Sequence, residues 1–177
     1  GLRHLDFISL STKGPQQRRR YTSKNAILKL TNNSPHKTLE NQSIMLDLPL
    51  GKGKKKVQLV DTTGLMDGIH PKREVRHAIS NTLAIIRDAH LILHMMDASI
   101  ANDYNFPKTI GEIDYHIAHF AQIRRGYAIL ANKIDLPGAH QGLKEIRREF
   151  PNNIIFPISA KYKKGFKEVK VFVAHGI

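Results

Sequence analysis

Tyr127-Ala128-Ile129-Leu130-Ala131-Asn132-Lys133-Ile134-Asp135 (YAILANKID) is the stretch on which the reading of this chain turns. Its first five residues form a short apolar run of the kind found in strands buried inside a parallel sheet. A polar loop, N-K-x-D, follows at once. Chemistry therefore stands at the carboxyl end of a buried strand, which is where open α/β sheets gather their ligands.

Outward from this stretch the pattern repeats. His90–Met96 (HLILHMM) and Asn153–Pro157 (NIIFP) are further short apolar runs, with Met95-Met96 read as strand core, and Phe7–Ser11 is a weaker candidate. Ser43–Leu48 and Lys56–Val60 flank the turn Gly51-Lys52-Gly53-Lys54-Lys55 and predict a hairpin. Helical spacing of apolar residues appears in Ser23–Leu30, in Glu74–Arg87 (Val75, Ala78, Ile79, Leu83, Ile86), and in Thr109–Gln122 (Ile110, Ile113, Ile117, Phe120). Leu143–Phe150 and Phe166–Phe172 follow. The alternation predicts an α/β fold of three layers, a mostly parallel sheet flanked by helices. Residues 1–177 are expected to be one domain, of a kind that could be excised from a longer protein, with 12–22 an irregular basic loop around Arg18-Arg19-Arg20.

Composition narrows the classes. Hydrophobic residues make up 41% and charged residues 24%, a globular rather than a disordered balance. No apolar run approaches the roughly 18 residues of a membrane span, and the N-terminus lacks the apolar stretch of a secretory signal. The absence of cysteine excludes disulfides and thiolate metal sites and suits a reducing, cytoplasmic setting. Lys and Arg number 28 against 15 Asp and Glu, a net +13 that favours a polyanionic partner such as RNA. A basic surface with no partner is the plainer alternative.

Three loops carry chemistry. In Asn132-Lys133-Ile134-Asp135, one fixed carboxylate, Asp135, can accept from two adjacent donors; guanine offers N1–H and its N2 amine side by side, and adenine does not. Asn132 would brace neighbouring loops, and the methylene stem of Lys133 would lie along the ring face. In Asp61-Thr62-Thr63-Gly64, Asp61 closes a strand and can hold Mg²⁺ through water, while Gly64 lets a backbone N–H approach a γ-phosphate. Leu65-Met66-Asp67-Gly68 would then be a switch ordered by that phosphate. In Ile158-Ser159-Ala160-Lys161, the small Ala160 allows its backbone N–H to reach the guanine O6. His116 and His119 sit three apart on a helix, a spacing compatible with metal, but lack a third ligand; a solvated or capping role is the simpler reading.

Taken in order, these loops resemble the guanine-nucleotide signature of P-loop GTPases, and the chain from about Ser23 onward is similar to the Era-, Der- and Obg-like members of the translation-factor class. The resemblance implies a G domain that binds GTP and GDP with Mg²⁺. It implies nucleotide contacts from Ser23, Lys24, Asn25, Asp61, Gly64, Asn132, Lys133, Asp135, Ser159, Ala160 and Lys161. Metal ligation would fall to Asn25, Thr38 and Asp61, and turnover to Lys24, Thr38 and Gly64. Thr38 is the candidate switch threonine; the residue after Gly64 is Leu65 rather than Gln, as in many relatives of this class.

The phosphate-binding loop departs from the family pattern G-x-x-x-x-G-K-[ST]. Ser23 replaces the second glycine, Asn25 replaces the metal-binding hydroxyl, and the spacing from Gly14 is four residues too long. Two readings stay open: a GTPase switch in ribosome assembly or RNA metabolism, and a pseudo-GTPase scaffold that hydrolyses nothing. A membrane-linked G domain is a third class, without a membrane segment to support it. The RNA or protein partner and the oligomeric state are not encoded in these motifs.

Overall fold

Tyr127–Asn132 does become the central strand of a parallel sheet, and its buried run is the reason. The structure is a computed structural model, and it describes residues 4–10, 17–22, 41–50, 52–62, 65, 73–99, 110–122 and 126–176. The chain divides into two units, Gly1–Asp88 and Ala89–Ile177.

In the second unit, β5 (Ile92–Asp97), β6 (Tyr127–Asn132) and β7 (Ile154–Pro157) pair in parallel in the order β5-β6-β7. Every residue of β6 from Tyr127 to Ala131 is buried, because neighbouring strands flank it and helices cover both faces. On one face, Leu130 joins Ile158 and Val169 in a core against which Leu93, Phe156, Phe166 and Val173 pack. That face takes α4 (Phe166–Gly176). On the other, His94 of β5 bonds Tyr127 of β6 and Asp114 of α2 (Glu112–Gln122). Tyr115 of α2 in turn stacks on Phe150 and donates its hydroxyl to Glu149, at the end of α3 (Ala139–Glu149). The expected three layers are thus present within this unit.

Two glycines let these layers meet. A Cβ on Gly165 would lie 2.3 Å from the Pro157 carbonyl oxygen, and its φ of +78° is one that L side chains rarely adopt. A Cβ on Gly126 would lie 2.4 Å from the His90 oxygen, just where Ile92 N–H donates to the Gly126 carbonyl at 2.6 Å.

In the first unit, β1 (His4–Leu10), β2 (Gln17–Thr22), β3 (Asn41–Leu50) and β4 (Gly53–Asp61) form a sheet in the order β2-β1-β3-β4, antiparallel at every pairing. Helix α1 (Arg73–Asp88) follows. Among the described residues, parallel pairing is therefore confined to β5–β7. The expected hairpin is present but longer. Its register runs from Gln42↔Asp61 to Leu50↔Gly53, so Gly53, Lys54 and Lys55 belong to the strand, not the turn. The expected loop across 12–22 is also corrected: Gln17–Thr22 pair with β1, Arg18↔Ile8 through Arg20↔Asp6. Backbone pairing needs no apolar side chain, so a run such as Gln-Arg-Arg-Arg can form a strand that composition hides.

Helix limits shift for physical reasons. α2 begins after Gly111, not at Thr109, since Asp114 Oδ2 accepts from Gly111 N–H at 2.8 Å and closes the first turn. Its buried positions are Ala118 and Ala121, while Phe120 is exposed. α3 begins at Ala139, four residues before the expected start at Leu143. Its buried face is Ala139, Gly142 and Ile146, and small residues give a weak periodic signal. In α1, Leu83 of the expected apolar face is exposed. Met95 is corrected as well: Met96 is buried, but Met95 points to the opposite side of β5 and is 56% exposed. The helix expected over Ser23–Leu30 lies outside the described residues.

Candidate functional site: the carboxyl edge of the parallel sheet

Parallel register aligns strand ends. Asp97 pairs with Asn132 and Ala131 with Pro157, so the residues that follow β5, β6 and β7 emerge along one edge. That edge carries Asn132-Lys133-Ile134-Asp135 and Ser159-Ala160-Lys161, two loops 24 or more residues apart in sequence.

Hydrogen bonds lock the two loops together. Ile158 N–H donates to Ala131 O at 2.8 Å, and Ile134 N–H donates to Ile158 O at 3.2 Å. Asn132 Oδ1 accepts from the Ala160 backbone N–H at 3.0 Å, and Asn132 Nδ2 lies 3.7 Å from Met95 Sδ. Ser159 is fully buried; its Oγ donates to Asp135 Oδ1 at 2.5 Å and accepts from Tyr162 N–H at 3.2 Å. Asp135 is therefore aimed by a buried hydroxyl. Lys161 Nζ stands 5.0 Å from the Tyr162 ring centroid, a cation–π contact. The Ala160 N–H, the group expected to meet a guanine O6, donates to Asn132 Oδ1.

Lys133 lies at φ +64°, and its ammonium pairs with Asp97 Oδ2. Asp97 Oδ1 accepts from Ser99 N–H at 2.9 Å and from Ser99 Oγ at 2.6 Å. Burial works to raise the Asp97 carboxyl, but the Lys133 and Ser99 donors outweigh it and hold the group below its ordinary value. Sequence reasoning missed Asp97 and Ser99; the only signal was the position of Asp97 at the end of a buried run.

A second polar cluster lies toward the amino end of β6. His94 Nδ1 is 2.9 Å from Tyr127 Oη and Nε2 is 2.9 Å from Asp114 Oδ1. Burial pushes the Tyr127 hydroxyl well up, with the Asp114 charge adding to it. Burial also opposes ionisation of Asp114, yet the His94 and Gly111 donors bring it below its ordinary value. His116 and His119 are exposed on α2 and line an open depression with Tyr115, Ala118, Glu149 and Phe150. Among the described residues no group of three or more His, Cys, Asp or Glu side chains is arranged for a metal.

Asp61 stands in the first unit, at the last position of β4, as the strand reading expects. The residue is exposed, although loss of water around its carboxyl raises that group from its ordinary value. An exposed terminal carboxylate fits water-mediated contact with Mg²⁺. Ser23, Lys24, Asn25, Thr38 and Gly64 lie outside the described residues. Of the expected site, the structure gathers Asn132, Lys133, Asp135, Ser159, Ala160 and Lys161.

A sequence profile of the 50S ribosome-binding GTPase family matches residues 19–133, more than half of the chain. The chain belongs to that family. The match includes Asp61, Asn132 and Lys133 but stops short of Asp135 and the Ser159–Lys161 loop, whose convergence is a finding of the structure. The chain is similar to a GTPase Obg of Lysinibacillus sphaericus, 30% identical over 120 residues, covering 66% of this chain and 27% of that protein. It is also similar to a GTPase Obg of Desulfitobacterium hafniense, at 28% over 114 residues, covering 63% and 26%. A probable GTP-binding protein, mitochondrial OBGM of Arabidopsis thaliana, is 28% identical over 120 residues, covering 63% and 23%. The chain thus spans about a quarter of the length of these relatives. Family membership places the P-loop GTPase class on firm ground, and no described helix is long and apolar enough to cross a membrane.

Proposed function

We propose that this family member is a guanine-nucleotide switch that binds GTP and GDP and acts in ribosome assembly or another RNA task. The observation that carries the reading is the aimed carboxylate: Asp135, held by the buried Ser159 hydroxyl, on a loop tied through Asn132 to Ala160. Such a carboxylate takes both guanine donors at once without reorganising. Asn132 and Ala160 border the base, with Lys133 and Lys161 on the flanks. Lys24 and Gly64 would meet the phosphates, and Asp61 with Thr38 and Asn25 would hold Mg²⁺. The net charge of +13 supports an RNA or ribosomal partner, and the relatives' GTPase names accord with nucleotide turnover. The cysteine-free chain suits a cytoplasmic setting.

Titration with GDP, GTP, ATP and XDP, with and without Mg²⁺, tests this reading, together with analysis of nucleotide that copurifies with the chain. The expected outcome is GDP and GTP binding with ATP excluded. Equal affinity for ATP would overturn it. Ser23 and Asn25, in place of the family's glycine and hydroxyl, favour weak Mg²⁺ dependence and slow phosphate release. Tight GTP binding with no phosphate release would mark the chain as a non-hydrolysing scaffold instead.

A further inference from the structure

Lys133 occupies a backbone conformation, φ +64°, that costs a side chain about 1 kcal/mol and ordinarily selects glycine or asparagine. Backbone bonds on either side of its carbonyl, Ile134 N–H to Ile158 O and Leu136 N–H to Lys133 O, hold that turn, and the side chain is tethered as well. Its ammonium reaches Asp97, and both oxygens of that carboxylate are engaged, Oδ2 by Lys133 and Oδ1 twice by Ser99. An ordinary surface ion pair contributes little, because two long side chains stay free to part. Here one partner is a short, mostly buried carboxylate fixed from two sides, its side chain 21% exposed.

Building on the guanine reading above, we infer that Asp97 is a positioning residue for the base, a latch that presets Lys133. Asp97 and Asn132 are register partners on adjacent strands. A lysine rooted just after Asn132 and tethered at Asp97 must run its stem sideways along the carboxyl edge. The stem then forms a fixed apolar shelf two residues from the carboxylate that reads the base. Without Asp97 the stem would sample many rotamers, and ordering it would count against binding. The latch sets affinity for any purine that Asp135 accepts; the choice of base stays with Asp135.

The test is GDP titration of the whole chain and of Asp97→Ala, Asp97→Asn, Lys133→Ala and the Asp97→Ala/Lys133→Ala pair, with XDP as second ligand. Asp97→Ala should weaken GDP by about tenfold, the scale of one charge-assisted contact, with Asp97→Asn between it and the parent. The double variant should bind no worse than Lys133→Ala alone, since Asp97 acts through Lys133. The GDP-to-XDP ratio should stay at the parent's value in every variant. In the nucleotide-free protein, amide exchange at Ile134 and Leu136 should quicken in Asp97→Asn, because Ile134 N–H directly follows the latched residue and Leu136 N–H donates to its carbonyl. GDP binding unchanged in both Asp97 variants, or losses that multiply in the double variant, would overturn the latch. A parent chain that binds no GDP would instead sink the guanine reading, and the latch with it.

Discussion

The two units differ in how they use their strands. β6 is buried over five consecutive residues, whereas β4 shows only Val57 and Val60 partly covered along its nine. Among the described residues, Ser43 and Thr82 are the buried ones of the first unit, and both are polar. The second unit holds Ile129, Ile146, Ile158 and the rest of the buried apolar set. A parallel strand needs cover on both faces, so its sequence becomes uniformly apolar. An antiparallel hairpin can leave side chains to solvent, which allows charge such as that of Lys54, Lys55 and Lys56, while β3 keeps Ile44, Met45, Leu46 and Leu48 half-buried. Packing on both faces marks the sequence of β6, and exposure marks that of β4.

That contrast breaks first at the core. Ile129→Ala should destabilise the second unit by about 2–5 kcal/mol, while Leu59→Ala on β4 should cost less than about 0.5 kcal/mol. Urea melts of the two variants check it, and equal losses would erase the distinction.

Next comes the loop edge. Asp135→Asn should weaken GDP by roughly 1.5–3 kcal/mol and improve XDP, whose added carbonyl then finds a donor, with little change in the melt. GDP affinity equal to the parent's would remove Asp135 from the site.

Acid sharpens the comparison further. Asp97 and Asp114 have folded pKa values below their ordinary 3.8, so their stabilisation is present above that pH and is lost as pH falls through the folded values. Asp61 shifts upward, so its contribution has the opposite sign: it favours the fold below its ordinary value and fades as pH rises through the raised one. Melts from pH 6 to about pH 3 should therefore show a decline that flattens in Asp114→Asn. An unchanged slope would mean that the His94 and Gly111 bonds do not hold that carboxylate in solution.

The smallest effect on the fold is expected at the hairpin. Replacing Lys54, Lys55 and Lys56 together by Ala should leave stability and GDP binding near the parent's, since all three are exposed at the end of β4 remote from Asp61. RNA affinity, measured against salt, should lose up to about 0.7–0.9 of log–log slope for each phosphate contact removed. An unchanged slope would exclude the hairpin as the RNA-facing surface.

The sequence by itself determined the parallel strands, because burial on both faces writes an unbroken apolar run: YAILA became β6, and NIIFP and HLILHMM became β7 and β5 within two residues. It also placed N-K-x-D and I-S-A-K at the carboxyl ends of two of those runs, where the structure has them. It did not disclose β2, whose ladder is made by backbone and leaves no mark in Gln-Arg-Arg-Arg, nor the early start of α3, seated on Ala139 and Gly142. Tertiary structure alone decided which groups face one another. Ser159 aims Asp135 from 24 residues away, and Asp97 catches Lys133 from 36 residues before it. Parallel register makes both meetings, by bringing three distant strand ends to one edge.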